Sequence, residues 1–341
     1  DSFVTWLPLV QRCLKRLLSR EKFHVALTSS RPFSLTLLGP LFRRHNIPWV
    51  TDFRDPWTEN ALFERLVPLS WLRPLHMRLE RRAARDCSFH IANTDGQWQG
   101  AQRTYPILAG KSAAIPNGFD GADFAEDMRP EKPGGRPWRL VYTGSVYHAY
   151  NPEGVFACIR NFLERVPSAN VEIHYAGSHS ARFMRAAEAR GLRAIVHDHG
   201  HVDHRLAVRL VRTADLLLLY LPGMENARTW VPMKLYEYLA AGRPIFAVVP
   251  PGDASAIIER SSAGDTVTDP HAAERGGCVL ANRYHAFLRG DLGRGAERES
   301  AAIFERRALT ARLAGIMDRL VSPGRSHPLS TEDEQCDIVR S

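Results

Sequence analysis

Cysteine is sparse in this 341-residue chain. The five that occur, Cys13, Cys87, Cys158, Cys278 and Cys336, are odd in number and far apart. They show neither the short spacing of a metal site nor the density of a disulfide framework, so a reduced, cytoplasmic protein is expected. Long apolar runs are missing too. The longest, Leu216 to Leu219 with its flanks, is strand-sized, far below the roughly 18–20 residues of a membrane-spanning helix. Residue 1 is Asp, and no charged-then-apolar leader is visible, so a secretory signal is not expected. Lysine is scarce in one region: residues 116–341 hold only Lys132 and Lys234. What is present suits a folded protein. Hydrophobic residues make up 44% and charged residues 24% of the chain, which supports a sizeable core, and the length suggests two domains.

The net charge of +8 is unevenly spread. Residues 1–115 hold 17 basic and 9 acidic side chains, whereas residues 116–341 hold 28 of each. A basic half can serve nucleic acid, an anionic membrane or an anionic substrate. The charges fall in helical patterns without interleaved stacking aromatics or a known module, so nucleic acid is not expected.

Short apolar and β-branched runs alternate with helix-period stretches. Strands are expected at His24–Thr28, Pro48–Phe53, Ser88–Thr94 and Ser112–Pro116, with helices at Ser34–His45 and Leu72–Asp86. The second half repeats the scheme, with strands at Arg139–Gly144, Val171–Gly177, Ala194–Gly200, Asp215–Leu221 and Pro244–Val249. Its helices are expected at Pro152–Val166, Ala181–Arg190, Asp203–Thr213, Val231–Ala241 and Asp253–Ser262. Such alternation means βαβ units and parallel sheets. The expected organisation is a first domain over 1–119, a Pro/Gly-rich linker over 120–137 and a second domain over 138–296. One long helix at 297–321 and an unfolded tail at 322–341 follow. Two doubly wound domains facing a cleft are the natural α/β architecture.

Ligands of parallel sheets bind beyond the carboxyl ends of strands. In the first half, Asp52-Phe53-Arg54-Asp55-Pro56-Trp57 crowds two carboxylates, a guanidinium and an indole at one strand end. These supply hydrogen-bond partners for sugar hydroxyls and a stacking face; the alternative is an Arg54–Asp55 pair closing a turn. Ser29 and Ser30 either face the same place or cap the next helix. In the second half, Gly144 and Ser145 end a strand where a diphosphate could approach backbone N–H groups, and Gly200 ends another. Lys234 lies in the first turn of a helix begun near Pro232, where dipole and ammonium both favour an anion. Glu237 follows on the same face. It could accept from a ribose diol while Lys234 meets phosphate, or the two could form a plain surface pair. His197, His199 and His201 alternate, but no carboxylate has diagnostic spacing beside them, so no metal is expected.

Several segments, taken together and in order over about residues 20–320, resemble retaining glycosyltransferases of family 4. They are Ser29-Ser30-Arg31-Pro32-Phe33-Ser34, Asp52 to Trp57, Ile115-Pro116-Asn117-Gly118-Phe119-Asp120, Val141-Tyr142-Thr143-Gly144-Ser145 and Lys234-Leu235-Tyr236-Glu237 through Pro244. The resemblance implies the GT-B fold of two Rossmann-like domains. It also implies a nucleotide-sugar donor on the second domain, bound as substrate with no cofactor or obligatory metal, and a glycan, lipid-linked or small-molecule acceptor on the first. By it, Glu237 holds the donor ribose, and Gly144, Ser145, Gly200 and Lys234 meet the diphosphate. Asp52, Arg54 and Asp55 face the reacting sugar carbon, with Asp55 a candidate orienter of the acceptor hydroxyl. Three departures stand out. Thr229 occupies the place of an earlier family glutamate, only His148 follows Gly144 where a basic residue is common, and the family's first strand, glycine-rich turn and helix are expected to be missing. A sugar-nucleotide epimerase and a non-catalytic nucleotide-sugar binder are the alternatives. Arg65, Arg73, Arg78, Arg81, Arg82 and Arg85 cluster around Trp71 and Leu72. They are expected to meet an anionic acceptor or the inner face of a membrane, or else to be a solvated face paired with Glu80 and Asp86.

Overall fold

The computed structural model describes residues 2–60, 63, 67, 69–125, 133–146, 151–222, 225–269, 273–291 and 293–322. Arg65, His148, residues 126–132 of the linker stretch and all but the first residue of the tail lie outside them. The chain divides into two compact units, one from Asp1–Pro116 with Leu309–Ser341 and one from Asn117–Ala308.

The first unit is built on four parallel strands in sequential order: β1 (Ala26–Ser30), β2 (Trp49–Phe53), β3 (Phe89–Ala92) and β4 (Ser112–Ala114). Strand β1 runs two residues later than expected because Ser29 and Ser30 pair with Asp52 and Phe53. Helices α1 (Leu7–Leu18), α2 (Gly39–Arg44), α3 (Arg73–Asp86) and α4 (Asp95–Thr104) surround the sheet. The helix expected over 34–45 is instead a 3₁₀ segment, Phe33–Leu38, followed by α2. Pro40 sits in the first turn of α2, where its missing N–H costs nothing. Leu7, Leu38, Phe42, Trp49, Ala83 and Ala84 form one apolar cluster. A second joins Val50, Phe89, Ile91 and Ala113 to Leu309 and Ile316 of the last helix.

The second unit carries β5 (Trp138–Thr143), β6 (Val171–Ala176), β7 (Val196–Asp198), β8 (Leu216–Tyr220), β9 (Ile245–Val248) and β10 (Gly264–Val267). They form one six-stranded sheet in the order β10-β9-β8-β5-β6-β7, with every pairing parallel. The four consecutive leucines of β8 are each at most 1% exposed, as expected of a central strand covered on both faces. Truncating one to alanine would cost roughly 2–5 kcal/mol. Helices α5 (Glu153–Arg165), α6 (Ser180–Glu188), α7 (His204–Arg212), α8 (Met233–Ala241) and α9 (Asp253–Arg260) fall where the periodicity places them, within a few residues. Helix α10 (Ala273–Leu288) is an addition. Its Gly276 and Gly277 look like a helix breaker, yet a Cβ on either would collide with Cys158 or Asn161 of α5. Close helix packing, not propensity, decides that segment.

The single C-terminal helix expected over 297–321 is two, α11 (Arg298–Ala302) and α12 (Arg306–Val321). The break is built: Phe119 N–H donates to the Phe304 carbonyl (3.2 Å) and Arg306 N–H to the Phe119 carbonyl (3.0 Å). Glu305 then accepts from the N–H groups of Arg307 (2.7 Å) and Ala308 (3.3 Å), satisfying orphan donors of α12.

Candidate functional site

In the second unit, three glycines finish neighbouring strands. Gly144 follows β5 with φ +114°, a conformation that L side chains rarely adopt. Its N–H donates to the Ala176 carbonyl at 2.7 Å, and Gly177 N–H donates to the Gly200 carbonyl at 2.8 Å. A Cβ on Gly177 would strike the Gly144 carbonyl. Gly200 adopts φ +65°, and its N–H is held by the Asp198 carboxylate at 2.9 Å. Gly144 and Gly200 thus follow strands on either side of β6, with Gly177 between them. Ser145 is half-buried next to Gly144.

Lys234 reaches the same place from the first turn of α8. A Cβ on Gly144 would stand 2.7 Å from Lys234 Nζ, so a side chain there would displace the ammonium. Nζ sits 3.7 Å from the centroid of the Tyr142 ring, a cation–π contact. Burial lowers the Lys234 pKa to about 7, against a smaller opposing pull from Glu237. Thr143 N–H donates to the Tyr238 hydroxyl at 3.0 Å, tying α8 to the end of β5 and fixing the lysine's origin.

Glu237 lies one turn on. Lys234 and Glu237 do not form the surface pair that was the alternative reading: the ammonium rests on Tyr142 instead. Burial pushes the Glu237 carboxyl upward, as does Asp123, while His204, Arg306 and Lys234 pull it down. Among the described residues no group donates a hydrogen bond to it. His204 Nε2 bonds Asp123 at 2.8 Å, which raises the imidazole pKa, and Arg212 holds the Asp123 carbonyl at 3.3 Å. Asp123, His204 and Arg306 are the charged surroundings of Glu237 that sequence reasoning missed. Asp123 was hidden in a stretch that reads as linker, and His204 in the first turn of a helix.

In the first unit, the end of β2 is a closed network. Ser29 Oγ donates to Asp52 at 2.7 Å, so it faces the site and caps nothing. Arg54 binds Asp52 (3.2 Å), the Asn93 side-chain oxygen (2.7 Å) and the Ile115 carbonyl (3.2 Å). Four strand ends are thereby laced together. Asp55 pairs with Arg31 at 2.7 Å and Arg54 with Asp52, so two other pairs stand in place of the alternative, an Arg54–Asp55 pair closing a turn. Trp57 is buried and stacked on Phe33 (5.0 Å, 2°), with its indole N–H directed to His76 at 3.1 Å. Its face is used in the core and is not offered to a sugar.

On α3 the arginines split. Asp86 collects Arg43, Arg82 and Arg85. Glu80 is buried against Thr58 and Tyr105, so it pairs with none of them. Arg78 and Arg81 make no ion pair among the described residues, and Trp71 beside them is 73% exposed. The metal-ligating grouping found among the described residues lies elsewhere, at Glu172, His174 and His197.

Residues 137–276, which contain every feature around Lys234, match the family model described as glycosyl transferases group 1. Among solved structures the chain is similar to sucrose-phosphate synthase from Thermosynechococcus elongatus, with TM-score 0.66 and 16% identity over 93% of this chain and 79% of that one. It is also similar to the lipopolysaccharide outer core galactosyltransferase WaaB, with TM-score 0.63 and 11% identity over 90% and 78% of the two chains. The α,α-trehalose 6-phosphate synthase of Burkholderia multivorans matches at TM-score 0.59 and 14% identity, over 92% and 75%. At these identities the likeness establishes the fold: α/β with two parallel sheets, the GT-B class expected from the sequence. A search of curated proteins finds no significant match.

Proposed function

We propose that this chain is a glycosyltransferase that takes a nucleotide-diphosphate sugar as donor and passes the sugar to a glycan, lipid-linked or small-molecule acceptor with retention of configuration. The observation that carries the reading is the Gly144–Lys234–Glu237 arrangement inside the matched residues 137–276. Lys234 and the N-terminal N–H groups of α8 meet the diphosphate and stabilise it as it leaves, which supplies the charge balance without an obligatory metal ion. Gly144, Ser145 and Gly200 let the phosphates approach the strand ends closely, and Glu237 accepts from the ribose hydroxyls. A lysine held near pKa 7 is poised for this task, because an arriving diphosphate restores its charge. On the first unit, Asp55 orients the acceptor hydroxyl while Arg54 holds Asp52 in place. Arg78 and Arg81, without an ion pair among the described residues, together with exposed Trp71 suit an anionic acceptor or a membrane surface that presents one.

A thermal-shift series with UDP-, GDP- and dTDP-sugars tests the donor assignment. Stabilisation by one base is expected, and none by any of them would remove it. Turnover of the bound donor with acceptor extracts then separates a transferase from a silent binder. In vesicle flotation, recovery should rise with anionic lipid; equal recovery on neutral vesicles would leave the arginines without this role.

A further inference from the structure

Along β6, Glu172 and His174 alternate with buried Val171, Ile173 and Tyr175, so both side chains leave the sheet on the face away from the aromatic core. Strand β7 forms the edge of the sheet and sets His197 directly opposite His174. The His174 ring stacks on His197 at 5.0 Å and on His199 at 5.2 Å. Glu172 approaches His174 Nε2 at 3.3 Å and His197 Nε2 at 3.8 Å. One ligand atom from each of the three lies within 4.8 Å of the others.

Those separations carry the argument. Ligand atoms placed about 2.0–2.1 Å from a common tetrahedral ion stand roughly 3.3 Å apart, so one Glu172 oxygen already stands at ligand-to-ligand spacing from His174 Nε2 and the other lies slightly farther than that from His197 Nε2. We propose that Glu172, His174 and His197 form a site for a divalent transition metal of the zinc type, open at its remaining positions. Two imidazoles and a carboxylate are a donor set for such an ion. His199 completes it as a positioning residue: its Nε2 lies 2.9 Å from His174 Nδ1. When it accepts the Nδ1 proton it fixes the tautomer whose Nε2 lone pair faces the ion. The sequence concealed the site because its carboxylate comes from the neighbouring strand. Binding would staple β7, only three residues long, to β6 at an otherwise weak sheet edge. The glycosyl-transfer reading does not depend on this site.

One neighbour opposes a cation. Arg139 stands opposite Glu172 in the β5–β6 register, and its Nε is buried without a hydrogen-bond partner among the described residues. It makes the site weaker than a closed structural centre, and it provides the sharpest test. Untagged, chelator-stripped protein is titrated with Zn2+ against a chromophoric chelator. One Zn2+ per chain is expected, with at least tenfold weaker binding in His197→Ala and Glu172→Gln and no change in His201→Ala. His199→Ala should weaken binding about tenfold and shift the visible spectrum of bound Co2+. Arg139→Gln should tighten Zn2+ binding several-fold. The site is overturned if variants with wild-type circular dichroism bind Zn2+ as the parent does. Inorganic phosphate bound in place of Zn2+, and lost in Arg139→Gln, would overturn it in favour of an anion site.

Discussion

The carboxyl ends of β2 and β5 are both met by charged side chains, those at β5 coming from α8, yet they are finished in opposite ways. At β2, Arg54 is bound by Asp52, Asn93 and the Ile115 carbonyl, and Asp55 is bound by Arg31. The polar groups there satisfy one another and hold strand ends together. At β5, Lys234 rests on an aromatic ring and Glu237 receives no hydrogen bond from the described residues, and burial disfavours the charge of each. Groups left in that condition are costly in an empty site and are relieved by a ligand of matching charge. A saturated strand end stabilises the fold, whereas an unsaturated one stores affinity.

Exchanging the two bases breaks or confirms this contrast most strongly. Arg54→Ala leaves a half-buried Asp52 and the Asn93 amide without their partner, which should cost about 3 kcal/mol of stability, while donor affinity is kept. Lys234→Met removes a buried ammonium, so melting should be unchanged or slightly raised. Donor affinity should then fall roughly 30–100-fold, the worth of a charged hydrogen bond. Chemical denaturation and donor titration of both variants check it. If Lys234→Met unfolds the protein and Arg54→Ala does not, the roles have been assigned the wrong way round.

The pH levers should also act in opposite directions. In the first unit, His90 on β3 is buried beside Phe53 and Thr51, and burial lowers its pKa to about 4. A depressed folded pKa means the neutral form is the native one. Its contribution is complete above the ordinary value of 6.5 and is lost as pH falls toward 4. At pH 4.5 the loss should be about 2.5 kcal/mol, absent in His90→Gln. In the second unit the charged form of Lys234 is the binding form. Donor affinity should therefore hold below pH 7 and fall up to about tenfold per unit above it. Calorimetry in buffers of different ionisation enthalpy should show proton uptake on donor binding near neutral pH. Affinity that is level from pH 7 to 9 would mean Lys234 is charged before the donor arrives.

Much of this architecture was legible because parallel strands write long apolar runs. The leucines of β8 announce a central strand, and the helix carrying Lys234 and Glu237 places both on one face without tertiary information. The rest depended on partners far away in the chain. Strand β10, Gly-Asp-Thr-Val, has one buried residue and forms by pairing with β9. Helix α10 owes its glycines to the approach of α5. Asp123 meets His204 across 81 residues, and Glu172 joins His197 across a strand pairing. No local spacing encodes either meeting.

The gentlest probe keeps shape and removes charge. Glu237→Gln retains an acceptor oxygen for the ribose but loses the charge-assisted part of the bond, so donor affinity should fall about tenfold, near 1.4 kcal/mol. Glu237→Ala should cost roughly 1–3 kcal/mol. Neither should lower the melting temperature, because the half-buried carboxylate receives no hydrogen bond from the described residues. Loss of the Glu237 charge also removes a pull that raises the Lys234 pKa. The alkaline fall in donor affinity should consequently begin at lower pH in Glu237→Gln than in the parent. Should Glu237→Gln destabilise the fold while donor affinity stays at the parent's value, Glu237 would be a holding residue like Arg54, and the two strand ends would be alike after all.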